Sequence, residues 1–472
     1  MMKKYSYIIN GVQKTSNQLA EVKNPANGET IGSYYVSTID DVEEAVDTAK
    51  KAQIKWRLLS QEERDHYMLK IADVLTENKA YLAELITKEQ GKPLNGPGSN
   101  FEMDACIGWT QVPASLQLED ELIFEDETRK DILKRVPIGV VAAITPWNWP
   151  LMIAIWQIIP SLKMGNTVVI KPSEYTTIAS LEMFRLINTV LPEGVLNCVT
   201  GDGKIGAHLT SHKMIGKIMF TGSITTGKRI IEASTHNMAR LTLECGGNDA
   251  GIVLPNTDFD QIAEGLFWGS FLNMGQTCAA LKRLYVHEDD LDAAVHVLTE
   301  VTKKFKMGDG LNEESLLGPI QNKMQFDKVN DLIATVQNNP HANLYIPIAD
   351  VPTEGYFIPI TYVTGVKNGD PIVDEEQFGP VLPIITYQTI EEAIEKANAL
   401  EIGLGASVWG TDSDQLEEIA LQLEAGTVWQ NQHGAIHPFV PFGGVKQSGY
   451  GVEFGIEGLK AVTLPKVISY KK

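Results

Sequence analysis

Short apolar runs alternate along this chain with amphipathic helical patterns, and that alternation restricts the fold more than any other feature. Val140–Ile144, Val168-Val169-Ile170, Ile218-Met219-Phe220 and Gly251-Ile252-Val253-Leu254 are bounded by glycine, proline or polar residues and separated by helical stretches. Runs that are apolar throughout predict strands covered on both faces, as in the parallel sheets of α/β units. The spacing predicts a helix from Thr38, with Val42, Ala45, Val46, Ala49 and Ala52 on one face and Asp40, Asp41, Glu43 and Glu44 near its N-terminus. A second series follows Cys278: Arg283–His287 reads as a strand, Leu291, Val295, Leu298 and Val301 as a helix face, and Ser407–Trp409 and Thr427–Trp429 as later strands. Single cores rarely grow past ~250–300 residues. The 472 residues therefore predict two α/β domains, with a site in the cleft between them.

Composition removes several classes of function. A net charge of -20 is the wrong sign for binding phosphate backbones, so no nucleic-acid partner is expected. Lys3 and Lys4 precede an apolar stretch far too short for a signal-peptide core. No apolar run approaches the ~18 residues that a membrane span needs, and a cytoplasmic protein is expected. The four cysteines, Cys106, Cys198, Cys245 and Cys278, are widely spaced, with no Cys-x-x-Cys pair and no histidine at zinc-finger spacing. That pattern predicts neither a disulfide framework nor a metal site, and it fits a reducing compartment in which one thiol serves as a nucleophile.

One thiol has a distinctive setting. Cys278 lies in Phe271-Leu272-Asn273-Met274-Gly275-Gln276-Thr277-Cys278-Ala279-Ala280, downstream of Leu243-Glu244-Cys245-Gly246-Gly247. A thiol and an enclosed carboxylate in such frames point to covalent catalysis. Thr145-Pro146-Trp147-Asn148-Trp149-Pro150 places a side-chain amide on a rigid turn, and Phe220-Thr221-Gly222-Ser223-Ile224-Thr225-Thr226-Gly227 offers small residues ahead of a helix. The last pattern is weak by itself and departs from the usual Gly-x-Gly-x-x-Gly spacing.

In this order the segments resemble the NAD(P)-dependent aldehyde dehydrogenase superfamily, and the likeness runs from Asn24-Pro25-Ala26 to Pro441-Phe442-Gly443-Gly444. The resemblance implies a Rossmann-like cofactor domain over 1–114 and 138–246, an α/β catalytic domain over 247–446, and a β oligomerisation arm from 115–137 and 447–472. It assigns Cys278 as nucleophile, Glu244 as general base and Asn148 as oxyanion donor beside the backbone N–H of Cys278. Trp147, Lys171, Ser173, Glu174, Gly222, Ser223, Gly227, Glu376 and Phe378 are implied to bind NAD, with NADP as the alternative cofactor. Within that set Lys171 and Glu174 fall at the adenine ribose, and Glu376 and Phe378 at the nicotinamide ribose. Met103, Trp149, Met152, Ile153, Trp156, Leu272, Ile436 and Phe442 are implied to line the tunnel for a small-molecule aldehyde. The protein is expected to assemble as a homodimer or homotetramer.

The chain departs from the common pattern in places. Asn248-Asp249-Ala250 stands where Lys-Ser-Pro or Lys-Asn-Pro is commoner, Gln157 follows Trp156 where Lys or Arg is usual, and Val452 precedes Glu453 where Arg is frequent. Two other readings stay open at this point. One is a non-catalytic nucleotide-binding structural protein, disfavoured by the presence of Cys278, Glu244 and Asn148. The other is a coenzyme A-acylating relative, which typically lacks the base at Glu244.

Overall fold

The computed structural model describes residues 2–337 and 339–472. Its first sheet has eight strands, in the order Gly449–Tyr450, Arg240–Glu244, Ile215–Thr221, Val140–Ile144, Thr167–Lys171, Leu196–Cys198, Tyr7–Ile9 and Val12–Lys14. The strands from Arg240–Glu244 to Leu196–Cys198 run parallel. Thr167–Lys171 is buried at every position, as an uninterrupted apolar run predicts. From Val140–Ile144 the chain adds strands on one side as far as Leu196–Cys198, then crosses to add Ile215–Thr221 and Arg240–Glu244 on the other. This reversal opens a crevice beyond the C-terminal ends of Val140–Ile144 and Ile215–Thr221, where open α/β sheets bind ligands.

The second sheet has seven strands: Asn343–Tyr345, Thr361–Thr364, Val381–Tyr387, Leu281–His287, Asp249–Val253, Gly405–Trp409 and Thr427–Gln430. Each sheet is covered by helices and has its own apolar core. The chain passes between them through Cys245-Gly246-Gly247-Asn248, leaving the C-terminal end of Arg240–Glu244 and entering the N-terminal end of Asp249–Val253. Glu244 therefore stands at the seam of the two bodies.

The helix expected from Thr38 spans Ile39–Trp56. Thr38 Oγ1 accepts from the Asp41 N–H at 3.3 Å, and the Asp41 carboxylate accepts from the Thr38 N–H at 2.7 Å. Such a cap contributes ~1 kcal/mol. Val42, Ala45, Val46 and Ala49 are buried in the first core.

The segments expected to form the arm divide between two places. Glu121–Glu125, Arg129–Pro137 and Thr463–Lys471 form an antiparallel three-stranded sheet that leaves Leu122, Ile123, Phe124, Val467 and Tyr470 exposed. Residues 447–462, expected in the arm, belong to the first body. There Gly449–Tyr450 pairs with Arg240–Glu244, and Phe454, Leu459 and Val462 enter the first core. Ser115 closes the preceding helix, Ser99–Ser115, so the hairpin begins later than expected. Among the described residues, no helix is long and apolar enough to cross a membrane, and no group of His, Cys, Asp and Glu is arranged to hold a metal ion.

Candidate active site

The Gly-Gln-x-Cys frame has a structural explanation. The helix Phe259–Phe271 gives way to a tight loop in which Asn273, Met274 and Gly275 have φ of 51°, 58° and 72°. Left-handed backbone costs of order 1–3 kcal/mol at a residue with a side chain, so the loop needs external ties. Gln276 supplies two, as its Oε1 accepts from the Gln321 N–H at 2.9 Å and its Nε2 donates to the Pro319 carbonyl at 3.3 Å, and it also closes the loop on itself by donating to the Asn273 carbonyl at 3.0 Å. Gly275 leaves no room for a side chain, since a Cβ would lie 2.2 Å from Lys282 Nζ and 2.4 Å from the Gly379 carbonyl oxygen. Thr277 Oγ1 accepts from Trp149 Nε1 at 3.0 Å. Cys278 follows, the one cysteine that is not fully buried.

The turn after Val140–Ile144 is joined to this loop from the other side. Asn148 Nδ2 donates to the Gln276 carbonyl at 2.9 Å, and the Asn148 carbonyl accepts from Asn273 Nδ2 at 2.9 Å. Asn148 is 3% exposed, so its amide is held in a water-poor site.

Glu244 ends its strand with both carboxylate oxygens buried and unpartnered. Burial first, and then the neighbouring Glu453 carboxylate, push its proton affinity well above the ordinary range. The next turn has little room for a side chain, because a Cβ on Gly247 would lie 2.5 Å from the Cys278 carbonyl oxygen and one on Gly246 2.4 Å from Glu376 Oε2. Glu376 Oε1 accepts from the Gly247 N–H at 3.2 Å, and burial pushes its pKa up to about 7. The Cys278 thiol is also pushed up, by burial and then by the carboxylates of Glu244, Asp249 and Glu376.

Two cavities meet at the thiol. A cleft of about 890 Å³ is lined by Trp147, Asn148, Gly222, Ser223, Glu244, Cys278, Glu376 and Phe378, together with Gln325 and Lys328, which carried no sequence signal. The second, of about 660 Å³, is bounded by Trp149, Met152, Ile153, Trp156, Leu272, Cys278 and Ile436. Phe101, Trp109, Trp268 and His433 complete its wall, with no lysine, arginine, aspartate or glutamate. Read in sequence, these aromatics cannot be told from core residues.

Two residues expected on the tunnel wall, Met103 and Phe442, and one expected at the cofactor, Gly227, lie elsewhere. Met103 is fully buried on the helix that carries Phe101, and two residues turn a helix by about 200°, so the two side chains leave opposite faces. Phe442 is buried and stacks on Phe454 at 6.1 Å, behind the wall residues Trp109 and Trp156, on which Phe454 packs. Gly227 faces the core, where a Cβ would lie 2.9 Å from Cys245 Sγ. It lets the helix Ile224–Ser234 pack closely on the strand end rather than lining the cleft. Lys171, Ser173 and Glu174 lie at the C-terminal end of the neighbouring strand, off the cleft wall, with Lys171 Nζ 3.8 Å from the Glu174 carboxylate.

The chain has the sequence pattern of the aldehyde dehydrogenase family over residues 12–468. It is 36% identical to a putative aldehyde dehydrogenase of Gibberella fujikuroi over 452 residues, covering 96% of this chain and 95% of that protein. The solved NAD+ complex of an aldehyde dehydrogenase from Bacillus cereus superposes with a TM-score of 0.95 at 31% identity, covering 99% of this chain and 97% of that one. A structure described as an Escherichia coli NADP-dependent enzyme superposes with a TM-score of 0.96 at 31% identity, covering 99% and 98%.

Proposed function

The chain belongs to the aldehyde dehydrogenase family, and on that premise we propose that it oxidises apolar aliphatic or aromatic aldehydes to carboxylic acids through a covalent intermediate on Cys278. One observation carries this reading: Cys278 stands on the wall of both cavities, where an aldehyde from the apolar side can meet a cofactor from the other.

The larger cleft fits a dinucleotide. Its wall has the small residues Gly222 and Ser223 at the start of a helix, and the unpartnered carboxylate oxygens of Glu244. Trp147, Gly222, Ser223, Glu376 and Phe378 would hold the inner part, and Lys171, Ser173 and Glu174 the adenine ribose. When bound, NAD supplies the acceptor for the hydride that leaves the aldehyde carbon. Because the Glu174 carboxylate would repel a 2′-phosphate, NAD is the preferred form.

An aldehyde carbonyl is a poor hydride donor, so the carbon must first become tetrahedral. The Cys278 thiol gives its proton to Glu244, which passes it on to solvent, and the resulting thiolate adds to the carbon, giving a thiohemiacetal oxyanion. Asn148 Nδ2 and the Cys278 backbone N–H donate to that oxygen, and one such donor is commonly worth about 3–4 kcal/mol. After oxidation the acyl group is a thioester on Sγ. Glu244 then takes a proton from water, which attacks the acyl carbon and releases the acid with the Cys278 thiolate as leaving group. A carboxylate whose proton affinity is raised by burial is a stronger base than an exposed one, which suits this work.

The apolar wall supports the substrate class. A second carboxylate on the aldehyde would be desolvated there with no lysine or arginine to meet it, at a cost of several kcal/mol. NADH formation with hexanal, benzaldehyde and succinate semialdehyde, with and without coenzyme A, tests the reading. Hexanal and benzaldehyde are expected to lead in kcat/KM without coenzyme A. A clear lead for the semialdehyde refutes the substrate class, a requirement for coenzyme A refutes hydrolysis, and no turnover on any aldehyde favours a structural protein.

A further inference from the structure

Behind the turn that carries Asn148 lies an ion pair with no exposure at either side chain: Lys92 Nζ is 2.6 Å from Glu102 Oε2. Lys92 is anchored by its own N–H, which donates to Gln90 Oε1 at 2.9 Å. Its ammonium donates to the Asn148 carbonyl at 2.8 Å and stands 3.4 Å from the centre of the Trp149 ring. The free oxygen of Glu102 accepts from the N–H groups of Leu151 at 2.9 Å and Met152 at 3.1 Å. These N–H groups open the helix Pro150–Lys163, whose own N-cap residue, Trp149, offers no side-chain cap. Glu102, on a different helix, thus caps this one.

A buried ion pair is weak evidence for a stabilising role, since apolar replacements of similar volume are often neutral or stabilising. Here the contacts converge on one turn. Between them the two side chains grip Asn148 by its carbonyl, Trp149 by its ring, and Leu151 and Met152 by their N–H groups. Asn273 Nδ2, from the loop before Cys278, grips the same Asn148 carbonyl at 2.9 Å. The turn is therefore held between the Cys278 loop on one side and the ion pair on the other. We infer that Lys92 and Glu102 are positioning residues that keep the Asn148 amide aimed at the oxygen bound on Cys278, without touching substrate themselves. This rests on the reading of Asn148 as the oxyanion donor.

The test is a double-mutant cycle. Lys92→Met leaves Glu102 charged and unpaired, so the paired variant Lys92→Met/Glu102→Gln is made beside it; the glutamine Oε1 can still cap Leu151 and Met152. Each change is introduced into the parent protein and into Asn148→Ala. Thermal midpoint and NADH binding report folding, and steady-state kinetics with a saturating aldehyde reports kcat. Displacing a catalytic group by ~1 Å can cost ~100-fold in rate. In the parent, loss of the ion pair is expected to lower kcat roughly 10- to 100-fold, with NADH binding retained. In Asn148→Ala the same change is expected to lower kcat less than about twofold, because the group it positions is already gone. An equal loss in both backgrounds, no loss in the parent, or failure of both variants to fold overturns the inference. A full kcat in Asn148→Ala alone instead overturns the assignment of Asn148 as oxyanion donor, and this inference with it.

Discussion

Asn148 Nδ2 donates to the backbone carbonyl of Gln276 at 2.9 Å, two residues before Cys278, and so ties the first body's turn after Val140–Ile144 to the loop of the thiol. The two groups come from different sheets, and their relative position depends on this contact and its neighbours rather than on either domain alone. A site assembled this way is complete only when both bodies are folded and docked.

The thiol chemistry has a definite pH sign. Burial, with the carboxylates of Glu244, Asp249 and Glu376, holds the Cys278 thiol above its ordinary range, so its thiolate fraction at neutral pH is below that of a free cysteine. In the cofactor-free protein, alkylation of Cys278 by iodoacetamide is expected to accelerate continuously from pH 7 to pH 10. Cys106, Cys198 and Cys245, all buried, should react much more slowly. A plateau in the Cys278 rate below neutral pH would contradict this picture.

Cofactor choice is assigned to one carboxylate. Glu174 is 42% exposed and 3.8 Å from Lys171 Nζ; on the proposed reading it would accept from ribose hydroxyls and repel a phosphate. Glu174→Gln should raise kcat/KM with NADP by roughly fivefold, in line with the ~1 kcal/mol of a partly exposed charge interaction, and narrow the preference for NAD. Equal efficiency with both cofactors in the parent protein contradicts the assignment.

The strands were legible because burial on both faces leaves short runs with no polar interruption. Val140–Ile144 has the expected bounds, and Thr167–Lys171, Ile215–Thr221 and Asp249–Val253 fall within a few residues of theirs. The frame around Cys278 was legible because Gly275 and Gln276 have steric and hydrogen-bonding duties that few other residues can perform. Features that depend on contacts distant in sequence were not legible. Lys92 meets the Asn148 carbonyl across 56 residues, and nothing in its own neighbourhood separates it from a solvated lysine. Trp109 and Trp268 carried no sequence signal, because an apolar side chain beside a cavity and one inside a core have the same pattern. Met103 was misplaced by helix phase, two residues from Phe101. Residues 447–462 pack on the first body through a two-strand contact and a short helix, too brief to leave a periodic signal.

The covalent role of Cys278 is tested most directly by trapping its acyl group. Water needs a base more than a thiolate does, so Glu244→Gln should still acylate while hydrolysis stalls. Mixed with NAD and benzaldehyde and quenched in acid, this variant is expected to carry one benzoyl group, mapped by peptide mass spectrometry to Cys278, and to release at most one NADH per subunit before turnover collapses. Undiminished steady-state turnover with no adduct, or an adduct on Cys106, Cys198 or Cys245, would contradict the account.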